Sequence, residues 1–253
     1  MTRIIMHGCN GKMGQTITAI AKEDTEAKIV AGVDVSDHIQ NDYPVFKSLA
    51  ECDVEADVVI DFSNASAVDA LLTDCEAKGL PLVLCSTGLS AEQVERATKE
   101  STKKIAVLKS ANMSLGVNVL LKLLKEAAIT FGEAGFDIEI VEKHHNLKVD
   151  APSGTALALA DSINEACGNT YEYIYDRSAR RQKRDKRELG ISAVRGGTIV
   201  GDHDVIFAGT DEVITFSHRA YSKAVFAKGA VQAAKYLAGK AAGLYDMQDV
   251  IGE

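Results

Sequence analysis

The chain has 253 residues, 46% hydrophobic and 25% charged, which is enough to bury a sizeable core in one large domain or two modest ones. A formal net charge of −8 argues against a general nucleic-acid binder, since such proteins gain non-specific affinity by neutralising phosphates. No apolar run approaches the ~20 residues of a membrane span, no basic-then-apolar leader follows Met1, and the five cysteines form no C-x-x-C pair or zinc spacing, so a cytoplasmic protein without a metal site or membrane partner is expected.

The first half alternates strand and helix patterns. "RIIMH" reads as a short strand, "GCNGKMG" as a loop and the residues through Lys22 as a helix, with "KIVAGVD" as the second strand. "ADVVIDFS" and "LPLVLCST" are continuous apolar runs, the pattern of strands covered on both faces. Between them, Ala65 to Lys78 reads as a helix stopped by Gly79 and Pro81. Ser90 caps another helix, whose first turns Glu92 and Glu95 favour, and "KIAVLKSAN" supplies one more strand. Strands alternating with helices predict a doubly wound parallel sheet.

From about Leu115 the pattern changes. "LGVNVLLKLLKEAAITF" predicts a long apolar helix, and "FDIEIVEKHH" alternates like a strand with one exposed face. A helix begins near Ser153; "GISAVRG", "DVIFAG" and "EVITFSHR" then follow without long helices between them, which predicts an α+β domain with a mixed or antiparallel sheet. "AVFAKGAVQAAKYLAGKAAG" reads as helical throughout and as packing back on the first domain. The expected division is 1–113 with 222–253, and 114–221.

Gly8, Gly11 and Gly14 form G-x-x-G-x-x-G after a strand and at the start of a helix. This is a variant of the Rossmann-type fingerprint, in which glycines let a pyrophosphate approach helix-terminal N–H groups. Asp34 follows about twenty positions later, where an acidic side chain accepts hydrogen bonds from an adenosine ribose. Its carboxylate repels a 2′-phosphate, and Val35 rather than an arginine comes next, so NADH is favoured; Lys12 in the loop leaves NADPH open.

"EKHHNLKVDAPSGTA", Glu142 to Ala156, concentrates a second set of groups. Ser153 suits an N-cap, so the amides of Gly154 and Thr155 make an anion site at a helix N-terminus. A histidine delivers protons near neutrality, and Lys148 can hold an anion or stabilise developing charge. Such a loop suits reduction of a small anionic substrate. "RSARRQKRDKR", Arg177 to Arg187, is strongly basic and reads as a solvated loop or helix face, with a lid that attracts an anionic substrate as the alternative.

The chain resembles the dihydrodipicolinate reductase family of the diaminopimelate and lysine pathway over nearly its whole length. "HHNLKVDAPSGTA" is close to the family signature E-x-H-H-x-x-K-x-D-x-P-S-G-T-A, and "GCNGKMG", "DFS", "STG", "SANMSLGVN" and "RGGTIVGDH" fall in the expected order. The resemblance implies that His144 is the proton donor, with Lys148 as its catalytic partner, and that His145, Gly154 and Thr155 bind substrate. It implies cofactor contacts at Gly8, Cys9, Asn10, Gly11, Lys12 and Met13, at Asp34, at Cys85, Ser86 and Thr87, and at Ser110, Ala111, Asn112 and Met113. A dicarboxylate substrate and a homotetramer assembled through the second domains also follow from it, and closure of the domains is expected to exclude water from the reaction. Where many relatives have Gly-Thr-Thr-Gly, this chain has Cys85-Ser86-Thr87-Gly88. Two other readings stand beside this one: a semialdehyde dehydrogenase with Cys85 as nucleophile, and a regulatory module that senses NADH without turnover.

Overall fold

Strand β1 (Thr2–His7) buries Ile4, Ile5 and Met6 consecutively, so it needs cover on both faces. The chain continues through α1 (Lys12–Glu23), β2 (Ala27–Val33), a two-residue β3 (Val45–Phe46), β4 (Val58–Asp61), α2 (Val68–Lys78), β5 (Leu82–Leu84), α3 (Ala91–Glu95) and β6 (Ala106–Leu108). Next come α4 (Leu115–Glu133), β7 (Asp137–His144), α5 (Gly154–Ala166), β8 (Glu172–Ile174), β9 (Glu188–Arg195), β10 (Gly201–Ala208) and β11 (Val213–Ala220). Last are α6 (Ala224–Leu237), β12 (Gly243–Tyr245) and α7 (Met247–Gly252). This computed structural model describes residues 1–252, which divide into one unit of Met1–Leu115 with the segment from Ala224 onward, and a second of Gly116–Lys223.

The first unit is built on a seven-stranded sheet in the order β12-β6-β5-β4-β1-β2-β3, with every pair parallel. On one face Ile17 and Ala21 of α1 and Ala227, Ala230 and Leu237 of α6 pack with Ile4 and Met6. On the other, Leu71, Leu72 and Cys75 of α2 pack with Ile5, Val59 and Leu82. Each fully buried Leu or Ile contributes about 1.5–3 kcal/mol relative to exposure. Strand order reverses between β1 and β4, which opens a crevice beyond their carboxyl ends, the usual ligand position in such sheets.

Local signals explain several boundaries. Residues 65–67 form a 3-10 turn, Asn64 accepting from the Ser66 amide at 3.2 Å, before α2 proper begins at Val68; Gly79 ends α2 in the left-handed region, at φ +65°. Ser90 and Gln93 make a capping box on α3. The C-terminal segment is not one helix, as its composition suggests. It breaks after Leu237, and β12 then adds to the sheet beside β6.

The second unit has a five-stranded mixed sheet, β11-β10-β7-β9-β8. β10 pairs antiparallel with β7 and β11, whereas β9 pairs parallel with β7 and β8. Leu120 and Leu124 of α4 and Leu159 and Ile163 of α5 cover one face through Ile138, Ile140 and Phe207. The basic segment is a loop rather than a helix face, and mostly exposed, but three of its arginines pair with the sheet. Arg177 holds Glu139 at 2.9 Å and Glu188 at 3.1 Å, Arg180 holds Glu188 at 2.8 Å, and Arg184 holds Asp137 and Glu139, both at 3.0 Å. Arg177, Arg180 and Arg184 therefore answer carboxylates on β7 and β9, the exposed Lys186 reaches Asp137 at 3.2 Å, and Arg181, Lys183 and Arg187 are exposed.

Candidate active site

In the first unit, the turn between β1 and α1 sits in the crevice beside β4. Gly8 has φ +82°, and a Cβ there would lie 2.7 Å from the Phe62 carbonyl oxygen; one on Gly14 would lie 2.2 Å from the Gly8 carbonyl oxygen. Only bare backbone lets strand, turn and helix meet this closely. Asp34, just beyond β2, accepts from the Asn10 amide at 2.9 Å and from the Ser36 amide at 2.9 Å. A cleft here is lined by His7, Gly8, Gly11, Asp34, His38 and Lys47. The glycine turn, the carboxylate and the Lys47 ammonium fit a dinucleotide.

Other residues named from the sequence take different positions. Cys9 is fully buried, and burial pushes its thiol up to about 11, so its side chain belongs to the core rather than to the cleft. Burial also pushes the Cys85 thiol well above its ordinary value, the opposite of what a nucleophilic cysteine requires. Ser86 is buried and Thr87 exposed; Lys12, at the first position of α1, is exposed and Met13 half-buried; beyond β6, Met113 is buried, Ser110 and Asn112 are half-buried and Ala111 is exposed. Asp61, which ends β4, is fully buried, and His7 Nδ1 lies 2.7 Å from its Oδ1. Although burial raises its pKa, the bond and charge of His7 hold this carboxyl below the ordinary range.

In the second unit, β7 alternates strictly, and its buried face changes character along its length from Ile138 and Ile140 to Glu142 and His144. His144 Nδ1 lies 2.6 Å from Glu142 Oε2. Arg195, at the end of β9, grips Glu142 through Nη2–Oε1 at 2.7 Å and Nη1–Oε2 at 2.8 Å, and the Ser153 amide donates to Oε1 at 3.0 Å. Despite burial, which raises its pKa, Arg195 foremost keeps the Glu142 carboxyl below its ordinary value. Ser153 caps α5 by accepting from the Ala156 amide at 3.2 Å, and its Oγ lies 3.0 Å from His203 Nε2. Burial pushes His203 down to about 4, with His144 adding to the effect, so this histidine is neutral at pH 7.

Around this core stand the remaining named residues. His145 Nδ1 is buried without a hydrogen-bond partner. Gly154 is exposed at the first position of α5, and Thr155 beside it is half-buried. Lys148 is not a free cation, because its Nζ lies 2.8 Å from Asp150 Oδ1. Glu142, Arg195 and His203 stand in the quoted stretches "EKHHNLKVDAPSGTA" and "RGGTIVGDH", but the sequence assigns them no role of their own. Glu142 was legible in the period of two that puts it on the His144 face; Arg195 and His203 depend on which strands flank β7. Among the described residues no cluster of three metal-binding side chains occurs, and no helix is long and apolar enough to cross a membrane.

Comparison with known proteins agrees with this arrangement. The family "Dihydrodipicolinate reductase, N-terminus" matches residues 2–113, and "Dihydrodipicolinate reductase, C-terminus" matches residues 116–251. The chain is 53% identical to the 4-hydroxy-tetrahydrodipicolinate reductase of Caldanaerobacter subterraneus subsp. tengcongensis, over 99% of this chain and 98% of that one. It is 51% identical to the same enzyme of Clostridium tetani, over 98% and 96%. The fold is similar to that of dipicolinate-bound dihydrodipicolinate reductase from Paenisporosarcina sp. TG-14, with a TM-score of 0.80, 23% identity and 99% coverage of both chains. The chain is therefore an oxidoreductase that belongs to the dihydrodipicolinate reductase family.

Proposed function

We propose that this oxidoreductase reduces 4-hydroxy-tetrahydrodipicolinate, the substrate its relatives are named for, to tetrahydrodipicolinate in the diaminopimelate route to lysine. The observation that carries the reading is the second unit's combination of a buried, carboxylate-bound His144 with an α5 N-terminus capped from within by Ser153. Residues 1–113 with 222–253 serve as the dinucleotide-binding domain and 114–221 as the substrate and assembly domain. Bound at the glycine turn, a reduced nicotinamide supplies hydride.

The chain's own residues do the rest. The Gly154 and Thr155 amides and the Lys148 ammonium hold a substrate carboxylate, which takes over Lys148 from Asp150. His145, with its orphaned Nδ1, contacts the same substrate. The substrate's 4-hydroxyl leaves as water, hydride adds at the carbon it vacates, and His144 gives a proton to the neighbouring carbon. At the cofactor site Asp34 receives the adenosine ribose and favours NADH, while His38 and Lys47 at the cleft allow NADPH as the second choice. The exposed sheet face bearing Val194 and Val213 is where a homotetramer assembles, and the enzyme works in the cytoplasm.

The test generates the cyclic substrate in situ from pyruvate and aspartate semialdehyde with a synthase, and follows NADH and NADPH absorbance separately. Oxidation that depends on the synthase and collapses in His144→Gln is expected. Binding of both cofactors without consumption of either would reject the reductase reading.

A further inference from the structure

Glu142 is an ionised side chain with no exposed surface, a placement that needs several partners to be tolerated. It has four. Arg195 donates twice, the Ser153 amide once, and the fourth contact is His144 Nδ1 at 2.6 Å. Arg195 in turn donates to the carbonyl oxygens of Asp150 at 2.6 Å and Val194 at 2.8 Å, so the carboxylate is fixed from β7, β9, the loop after β7 and the start of α5. A carboxylate with no proton only accepts, so Nδ1 of His144 must carry hydrogen. Nε2 is then the nitrogen through which His144 exchanges a proton. A Cβ built on Gly201 would lie 3.0 Å from Nε2, and the glycine leaves that atom room.

The other charged and titratable groups nearby do not substitute for this contact. His203 on β10 meets His144 edge-on, with ring centroids 5.2 Å apart at 74°, and presents a neutral ring. Lys148 and Arg195 are cations that oppose an imidazolium, although each is itself paired with a carboxylate. His145 adjoins on the chain, and His218 on β11, near Asp202, lies behind His203. Among the described residues, Glu142 alone pairs its charge with the His144 ring.

We propose that Glu142 is a positioning residue for catalysis: it locks His144 as the Nδ1–H form and makes Nε2 the proton-delivering atom, while its charge sustains the imidazolium. This rests on His144 as proton donor. A purely structural Glu142, serving only to neutralise Arg195 and seat α5, makes different predictions.

Two measurements on the full-length protein separate them. In wild type labelled with 15N-histidine, with His144→Gln to assign the signals, the neutral ring is expected to carry its proton on Nδ1; a proton on Nε2 instead would overturn the proposal. Glu142→Gln is expected to lower kcat about 100-fold with KM changed only a few-fold, and to move the alkaline limb of the kcat profile to lower pH. Glu142→Asp keeps the charge and should keep the limb near its wild-type position at reduced kcat. A folded Glu142→Gln with reduced melting temperature but an unmoved limb would sink the positioning role. Should that variant not fold, the wild-type tautomer and the Glu142→Asp profile decide. Full turnover in His144→Gln would instead reject the proton-donor reading, whatever the tautomer.

Discussion

The Asn10 amide donates to Asp34 Oδ2 at 2.9 Å across 24 positions of sequence, tying the glycine turn to the end of β2. The acid proposed to meet the ribose is thus held by the loop proposed to meet the phosphates. Asp34→Asn removes the charge while keeping an acceptor for that amide. The NADPH to NADH ratio of kcat/KM should rise about tenfold, measured with the two cofactors in parallel. Lys47→Met should lower the same ratio and leave NADH kinetics near wild type; an unchanged ratio would remove Lys47 from 2′-phosphate recognition.

His144→Gln and Lys148→Met should fail in different ways. Loss of a general acid lowers kcat by about 10²–10⁴ with a small change in KM. Loss of the Lys148 charge should act on KM as well, if its proposed hold on a ground-state carboxylate is right. Steady-state kinetics at saturating cofactor distinguish the two patterns.

Acid should weaken the fold through His203. Its pKa is lowered from 6.5 to about 4 by burial, so the unfolded chain takes up a proton first as pH falls. Stability present above pH 6.5 is lost progressively between 6.5 and about 4, by roughly 3 kcal/mol for this group. Glu142 and Asp61 act later: their folded pKa values are depressed, so what they contribute is lost only as pH falls below 4.5 and 3.8, respectively. Urea midpoints at pH 7 and 4.5 should therefore differ less in His203→Gln than in wild type.

Arg184 should matter to stability and Lys183 should not. Arg184 bonds Asp137, Glu139 and the Ile138 carbonyl oxygen, whereas Lys183 is exposed. Arg184→Met should lower Tm by roughly 5 °C or more, and Lys183→Ala by about 1 °C or less, in a thermal melt.

The difference between those neighbours marks where sequence reasoning stops. Strands buried on both faces, such as Val58–Asp61 and Leu82–Leu84, announce themselves by continuous apolar residues, and Ser153 and Gly79 mark helix ends through their own chemistry. Local signals of this kind suffice for the parallel sheet and for the loop from His144 to Thr155. The two-residue β3 and three-residue β12 are strands only because a partner edge is available, and no propensity reveals that. Arg195 lies 53 positions from Glu142, and His203 lies 50 from Ser153; only the register of β9 and β10 on β7 brings them together. The basic run shows the same limit, since its partners Glu139 and Glu188 stand on two other strands.

The return of α6 to the first sheet has a consequence for synthesis on the ribosome. One face of that sheet, with Ile4, Met6, Val58 and Ile60, is covered in part by Ala227, Ala230, Ala234 and Leu237. Those residues emerge more than a hundred positions after β6, by which time every strand of the second unit has been made. The nascent first sheet therefore waits, with apolar surface open to chaperones or to misplaced partners, until α6 has been made.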